Sequence, residues 1–133
     1  MKWYRKLYLG SGITRSRKEM IEKIEKNAGT PNVYLITLAA NGRDLFDIFS
    51  SDYLLQPVLH GHCPLIVGLA KGREEAEQLA LDIAMEAYYQ NGNFDVRAYL
   101  EENIKDGGGL AFEFPMEQLK KRKRFLFRKQ DSR

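Results

Sequence analysis

Cysteine is almost missing from this chain. Cys63 is the only one in 133 residues, which rules out an internal disulfide and fits a reducing compartment. Long apolar runs are missing too. The longest, Pro64 to Ala70, is far too short to cross a bilayer. The first twelve residues, MKWYRKLYLGSG, are basic but lack the apolar core and cleavage site of a secretory signal. Together these absences lead to the expectation of a cytoplasmic protein. There is no internal repeat, and the only low-complexity tract is Gly107-Gly108-Gly109. No residue constellation is specific enough to name a reaction or a cofactor; the first expectation is a non-catalytic interaction module, and the alternative a small-molecule binder or enzyme using the loops after the strands.

The composition that remains is that of a globular domain, with 44% hydrophobic and 29% charged residues. A chain of this length forms one domain by default, and folding removes roughly two-thirds of its unfolded surface from water. The net charge of +3 conceals three blocks. Residues 1–26 carry +5, residues 27–114 carry −8 and residues 115–133 carry +6. Such asymmetry points to an acidic partner or to an electrostatically attached tail.

The stretch from Pro64 to Asn91 organises the rest. Leu65 to Leu69 is continuously apolar, as in a strand covered on both faces. After Lys71-Gly72-Arg73, residues Ala76, Leu79, Ala80, Ile83, Ala84, Ala87 and Tyr88 recur at helical spacing. Glu74, Glu75 and Glu77 stand where the helix dipole favours negative charge. Earlier, Trp3 to Leu9 reads as a strand and Ser16-Arg17-Lys18-Glu19 as a capping box opening a helix that Gly29 and Pro31 end. Val33 to Ala40 is a second buried strand. The first forty residues thus read as a parallel β-α-β unit.

Asn41 to Pro57 admits two readings. Asn41-Gly42 is a hairpin signal. Leu45, Phe46, Ile48 and Phe49 do not alternate with polar residues and fit a short helix better, which is the preferred reading. Val58 to Pro64 reads as loop, and Asp95 caps a short helix carrying Val96, Tyr99, Leu100 and Ile104. The expected fold is therefore α/β: a small, open, mostly parallel sheet of three or four strands with two main helices and a C-terminal basic helical extension. The hairpin reading would instead give an α+β, ferredoxin-like sandwich. Residues 1–106 would form the compact domain. Residues 107–133 would hold the glycine linker, a candidate edge strand at Leu110 to Phe114 and a basic helix opening at Pro115. An exposed sheet edge would need that strand or a second copy of the chain to cover it, so a homodimer is a further expectation.

Three candidate sites follow. The first is the basic segment Lys120, Lys121, Arg122, Lys123 and Arg124, continued by Arg128 and Lys129 and interleaved with Phe125 and Phe127. Cations release condensed counterions from phosphates, and aromatics stack on bases, so the expected partner is nucleic acid or an acidic protein. The competing reading is a solvated tail, or one folded back on the acidic middle of the chain. The second is the set of loops after the strands: Gly10, Ser11 and Gly12, then Arg43, Lys71 and Arg73. Glycines let backbone N–H groups approach an anion and the cations neutralise it, which suits a phosphorylated metabolite. Against this, Arg15 stands where a dinucleotide fingerprint needs its third glycine. The third is His60, His62 and Cys63, all legitimate zinc or copper ligands but lacking a fourth partner nearby in sequence. Their ordinary reading is a surface loop leading into a strand.

Overall fold

A computed structural model describes residues 1–41, 43–104 and 109–113. Its elements are β1 (Lys2–Leu9), α1 (Arg17–Glu25), β2 (Val33–Leu38), β3 (Phe46–Ser50), a 3-10 turn (Ser51–Leu55), α2 (Pro57–Gly61), β4 (Ile66–Lys71), α3 (Arg73–Asn91), α4 (Val96–Glu102) and β5 (Ala111–Glu113). They build a five-stranded sheet in the order β3-β2-β4-β1-β5.

The sheet is mixed and mostly antiparallel, which corrects the mostly parallel expectation. Only β1 and β4 pair in parallel, while β2 runs antiparallel to both β4 and β3, and β5 antiparallel to β1. The first forty residues are therefore not a parallel β-α-β unit. β4 is inserted between β1 and β2, and β2 runs the opposite way to β1. The architecture is α+β, the class carried by the alternative reading.

The second correction concerns residues 41–57. They form a hairpin strand and a 3-10 turn, not a helix. Asn41 Oδ1 accepts from the N–H groups of Arg43 and Asp44 at 2.9 and 3.0 Å, shaping the turn. β3 then pairs with β2 from Phe46↔Leu38 to Ser50↔Tyr34. Apolar side chains stand on both faces of β3, whose residues are all half-buried. Phe49 packs on the α1 side, Phe46 and Ile48 on the α3 side. Residues 57–61, expected as loop, form one short helical turn opening on Pro57.

Local signals elsewhere work as written. Ser16 accepts from the Glu19 N–H at 3.2 Å and starts α1. Asn27 (φ 53°) and Gly29 (φ 80°) turn the chain out of it in left-handed conformations. Gly92 (φ 75°) ends α3, its N–H reaching the Tyr88 carbonyl at 2.8 Å.

Two cores sandwich the sheet. On one face Trp3, Leu7, Leu35, Ile66 and Leu69 meet Met20, Ile21 and Ile24 of α1, with Leu54 of the 3-10 turn closing the side. On the other, Tyr4, Ile36, Val67 and Ala70 meet Ala76, Ala80 and Ile83 of α3 and Leu100 of α4. β4 serves both cores through a bulge. It advances two residues, from Ile66 to Gly68, where β2 advances one. Val67 and Gly68 consequently both turn towards α3, and Leu69 returns to the α1 side. A Cβ on Gly68 would lie 3.3 Å from Ile36 and 3.4 Å from Leu79, so the small residue lets α3 sit close.

Buried polar groups tie the layers together. The Tyr4 hydroxyl donates to the Leu100 carbonyl at 2.8 Å, fixing α4 over β1. Glu25, at the end of α1, accepts from the Trp3 indole N–H at 2.6 Å and lies 3.3 Å from the Met1 amine, all out of water. Removing one partner of such a group leaves the other desolvated and unpaired, costing about 1–3 kcal/mol. Glu25→Ala is expected to lower the unfolding free energy by that order, and Glu25→Gln by less because an acceptor remains. Urea denaturation with an unchanged slope checks this.

Candidate functional site

The antiparallel course of β2 decides which loops meet. The carboxyl ends of β1 and β4 lie side by side, because these strands are parallel. The loops after them share one end of the sheet: Gly10, Ser11 and Gly12 after β1, Lys71 and Arg73 after β4. Arg43 does not join them. It sits in the β2–β3 turn, at the opposite end of the sheet, where β4 begins. Arg73, although it follows β4 directly, points along α3, 3.1 Å from Glu77, with both side chains mostly in solvent.

What joins the two loops is Glu75, in the first turn of α3. Its carboxylate accepts from the Gly12 N–H at 2.7 Å, the Lys71 N–H at 2.5 Å and the Ser11 hydroxyl at 3.2 Å. The contact explains the glycines. A Cβ on Gly10 would stand 2.5 Å from a Glu75 oxygen, and one on Gly12 2.6 Å from Lys71 Cβ. The Lys71 N–H above all holds the carboxyl below its ordinary value; desolvation opposes it, and the Gly12 N–H and Ser11 hydroxyl add smaller lowering effects. In sequence these acids read only as dipole partners of a helix start. Nothing local signals that Glu75 reaches across to another loop.

Beside this clamp lies a cleft of about 200 Å³. Gly12, Thr14 and Arg15 line it from the loop after β1, Met20 and Lys23 from α1, Thr30 and Pro31 from the connection before β2, and Lys71 from the end of β4. Thr30 and Ser51 are buried and their hydroxyls meet at 2.6 Å. Three cations from three elements border the space. Lys71 Nζ donates to the Pro31 carbonyl at 3.1 Å. Arg15 makes a long, exposed contact of 3.4 Å with Glu19. Lys23 has no side-chain partner among the described residues. Sequence reasoning missed Arg15 and Lys23 as site residues, because neither lies in a strand-end glycine turn.

A larger and mostly apolar groove, about 520 Å³, runs beside the edge strand β3 and is bordered by Phe49, Tyr53, Leu59 and Cys63. His62 and Cys63 line it, and His60 ends the short helix α2. Among the described residues no group of three or more His, Cys, Asp or Glu side chains is arranged to hold a metal. Burial pushes the Cys63 thiol up to about 11, so little of it is thiolate at neutral pH. The basic segment Lys120–Arg124, with Arg128 and Lys129, lies outside the described residues. Among the described residues no helix is long and apolar enough to cross a membrane.

No protein-family model, no curated protein and no solved structure matches the chain.

Two outcomes follow from this geometry. A carboxyl depressed in the folded state contributes stability above its unfolded pKa and loses it as pH falls through the folded one. The stability difference between the natural protein and Glu75→Gln is therefore expected to be constant near neutrality and to shrink as pH drops below the ordinary carboxylate value of 4.5, in urea titrations across that range. Iodoacetamide at pH 7.5 is expected to label Cys63 far more slowly in the folded protein than in urea, followed by intact mass.

Proposed function

We propose that the protein is a non-catalytic interaction module that engages a phosphate-bearing acidic partner, nucleic acid first, through its basic side. The supporting observation is how the sheet divides the charge. The exposed cations Arg15, Arg17, Lys18 and Lys26, with half-buried Lys23, outnumber Glu19 and Glu22 about α1 on one face. On the other, Glu74, Glu77, Asp82 and Glu86 of α3 and Glu101 and Glu102 of α4 outnumber Arg73 and Arg97. Blocks of opposite charge in sequence thus become opposite sides of one small body, and such a body orients in the field of a polyanion.

The cations of the C-terminal segment add to the same reading by composition. Five consecutive Lys/Arg from Lys120 to Arg124, followed by Phe125 and Phe127, suit an electrostatic anchor with stacking residues. The absence of a catalytic constellation in the sequence fits a binding role.

The test is binding of full-length protein to labelled single- and double-stranded nucleic acid as a function of salt. Affinity is expected to fall steeply with salt. Arg17→Ala/Lys18→Ala/Lys26→Ala, and separately alanine at all five positions from Lys120 to Arg124, are each expected to flatten the slope by roughly one unit for every phosphate no longer neutralised. Binding with no salt dependence, or no binding at low salt, would sink the reading.

A further inference from the structure

We infer that the cleft at the carboxyl ends of β1 and β4 is a binding site for a phosphate monoester or a pyrophosphate-sized anion. It shares Arg15 and Lys23 with the basic surface around α1 and adds Lys71 from the end of β4. Its first support is position. In sheets with parallel strands, ligands bind beyond the carboxyl ends, where neighbouring connections diverge. Here β1 leads to α1 on one face and β4 leads to α3 on the other, so the two connections part at this cleft.

The second support is charge. Arg15, Lys23 and Lys71 reach one small space from a loop, a helix and a strand end. Two nearby carboxylates oppose them. Glu19 meets Arg15 only at 3.4 Å in solvent, and Glu75, which does not line the cleft, accepts from the N–H groups of Gly12 and Lys71 and the Ser11 hydroxyl. The Lys23 ammonium and the Thr14 hydroxyl have no partner among the described residues and are available to an incoming anion. Lys23 is half-buried and borders the same space as Thr30, whose hydroxyl meets that of Ser51 at 2.6 Å.

The third support is size. A volume of about 200 Å³ holds one or two phosphoryl groups. Pockets for drug-sized ligands run from roughly 300 to 1,000 Å³. The anion would therefore enter as the terminal group of something whose remainder stays outside. A terminal monoester carries more charge than an internal phosphodiester, and three cations favour it accordingly. That group can come from a small phosphorylated metabolite or from the 5′ end of an oligonucleotide.

The experiment is a titration of the ¹⁵N-labelled full chain with pyrophosphate, with inorganic phosphate and sulfate run alongside. Saturable shifts at the amides of Thr14, Arg15 and Lys71 are expected. Lys23→Ala is expected to weaken binding about tenfold or more, as removal of one charge-assisted hydrogen bond does. Arg97→Ala, on α4 at the opposite face of the sheet, is expected to leave it unchanged. Arg15→Ala is a second, exposed variant that keeps the fold. Linear shifts without saturation into the tens of millimolar, or equal affinity in Lys23→Ala, overturn the site. An oligonucleotide with a 5′-phosphate and its 5′-hydroxyl twin separate the two sources. Lys23-dependent preference for the phosphorylated form assigns a nucleic-acid end, and Lys23-dependent binding of pyrophosphate alone assigns a small ligand. Failure of the cleft reads as pyrophosphate shifts that do not saturate, and failure of the polyanion reading as nucleic-acid binding without salt dependence, so the two are scored by separate titrations.

Discussion

Everything in this fold depends on β4 being covered on all sides. It has a parallel neighbour in β1, an antiparallel neighbour in β2 and a helical layer on each face. Ile66, Val67, Leu69 and Ala70 are all withdrawn from water. A regular strand would divide its side chains strictly by alternation. The bulge at Val67 breaks that rule and gives each core the side chain it can accommodate: the glycine and small residues towards the close-packed α3, Ile66 and Leu69 towards α1. The alanine positions 76, 80, 84 and 87 on α3 match this, because a helix lying near a strand has room only for small residues at the contact.

The same arrangement produces the site. Because β1 and β4 are parallel, their following loops come together and diverge to opposite faces. Because β2 is antiparallel, its own following turn, with Arg43, goes to the far end. Glu75 then locks the two loops with three donors, and the small cleft beside it inherits cations from the loop, the helix and the strand end. The charge separation across the sheet is a consequence of which helix packs on which face.

Local physics made much of this readable in the sequence. Ser16 caps where a hydroxyl three residues before Glu19 should, Gly92 ends α3, and the apolar stripe of α1 is the one its spacing specifies. The segment at Leu110 to Phe114 contributes Ala111–Glu113 as the edge strand beside β1. Strand direction was not readable, because periodicity carries burial and not polarity: Val33 to Leu38 is equally apolar whichever way it runs. The β3 segment misled for a related reason. Phe46, Ile48 and Phe49 look helical because this half-buried edge strand carries apolar side chains on both of its faces. In the site, the glycine turns and Lys71 were legible, since close backbone approach demands glycine. Glu75 and Lys23 were not, because their partners are distant in the chain and only the completed sheet brings them near.

The strand order has a kinetic side. β1 is made first, yet its pairing partners are β4, some sixty residues later, and β5, at residues 111–113. Nearly half of the chain must be synthesised before β1 gains a first neighbour, and most of it before the second arrives. Such long-range pairings raise the contact order and slow the search for the native sheet. Meanwhile the β2–β3 hairpin is already competent to pair locally. The β1–β4 pair, with the cleft at its carboxyl end, thus depends on the long-range part of the fold, and the hairpin on its local part.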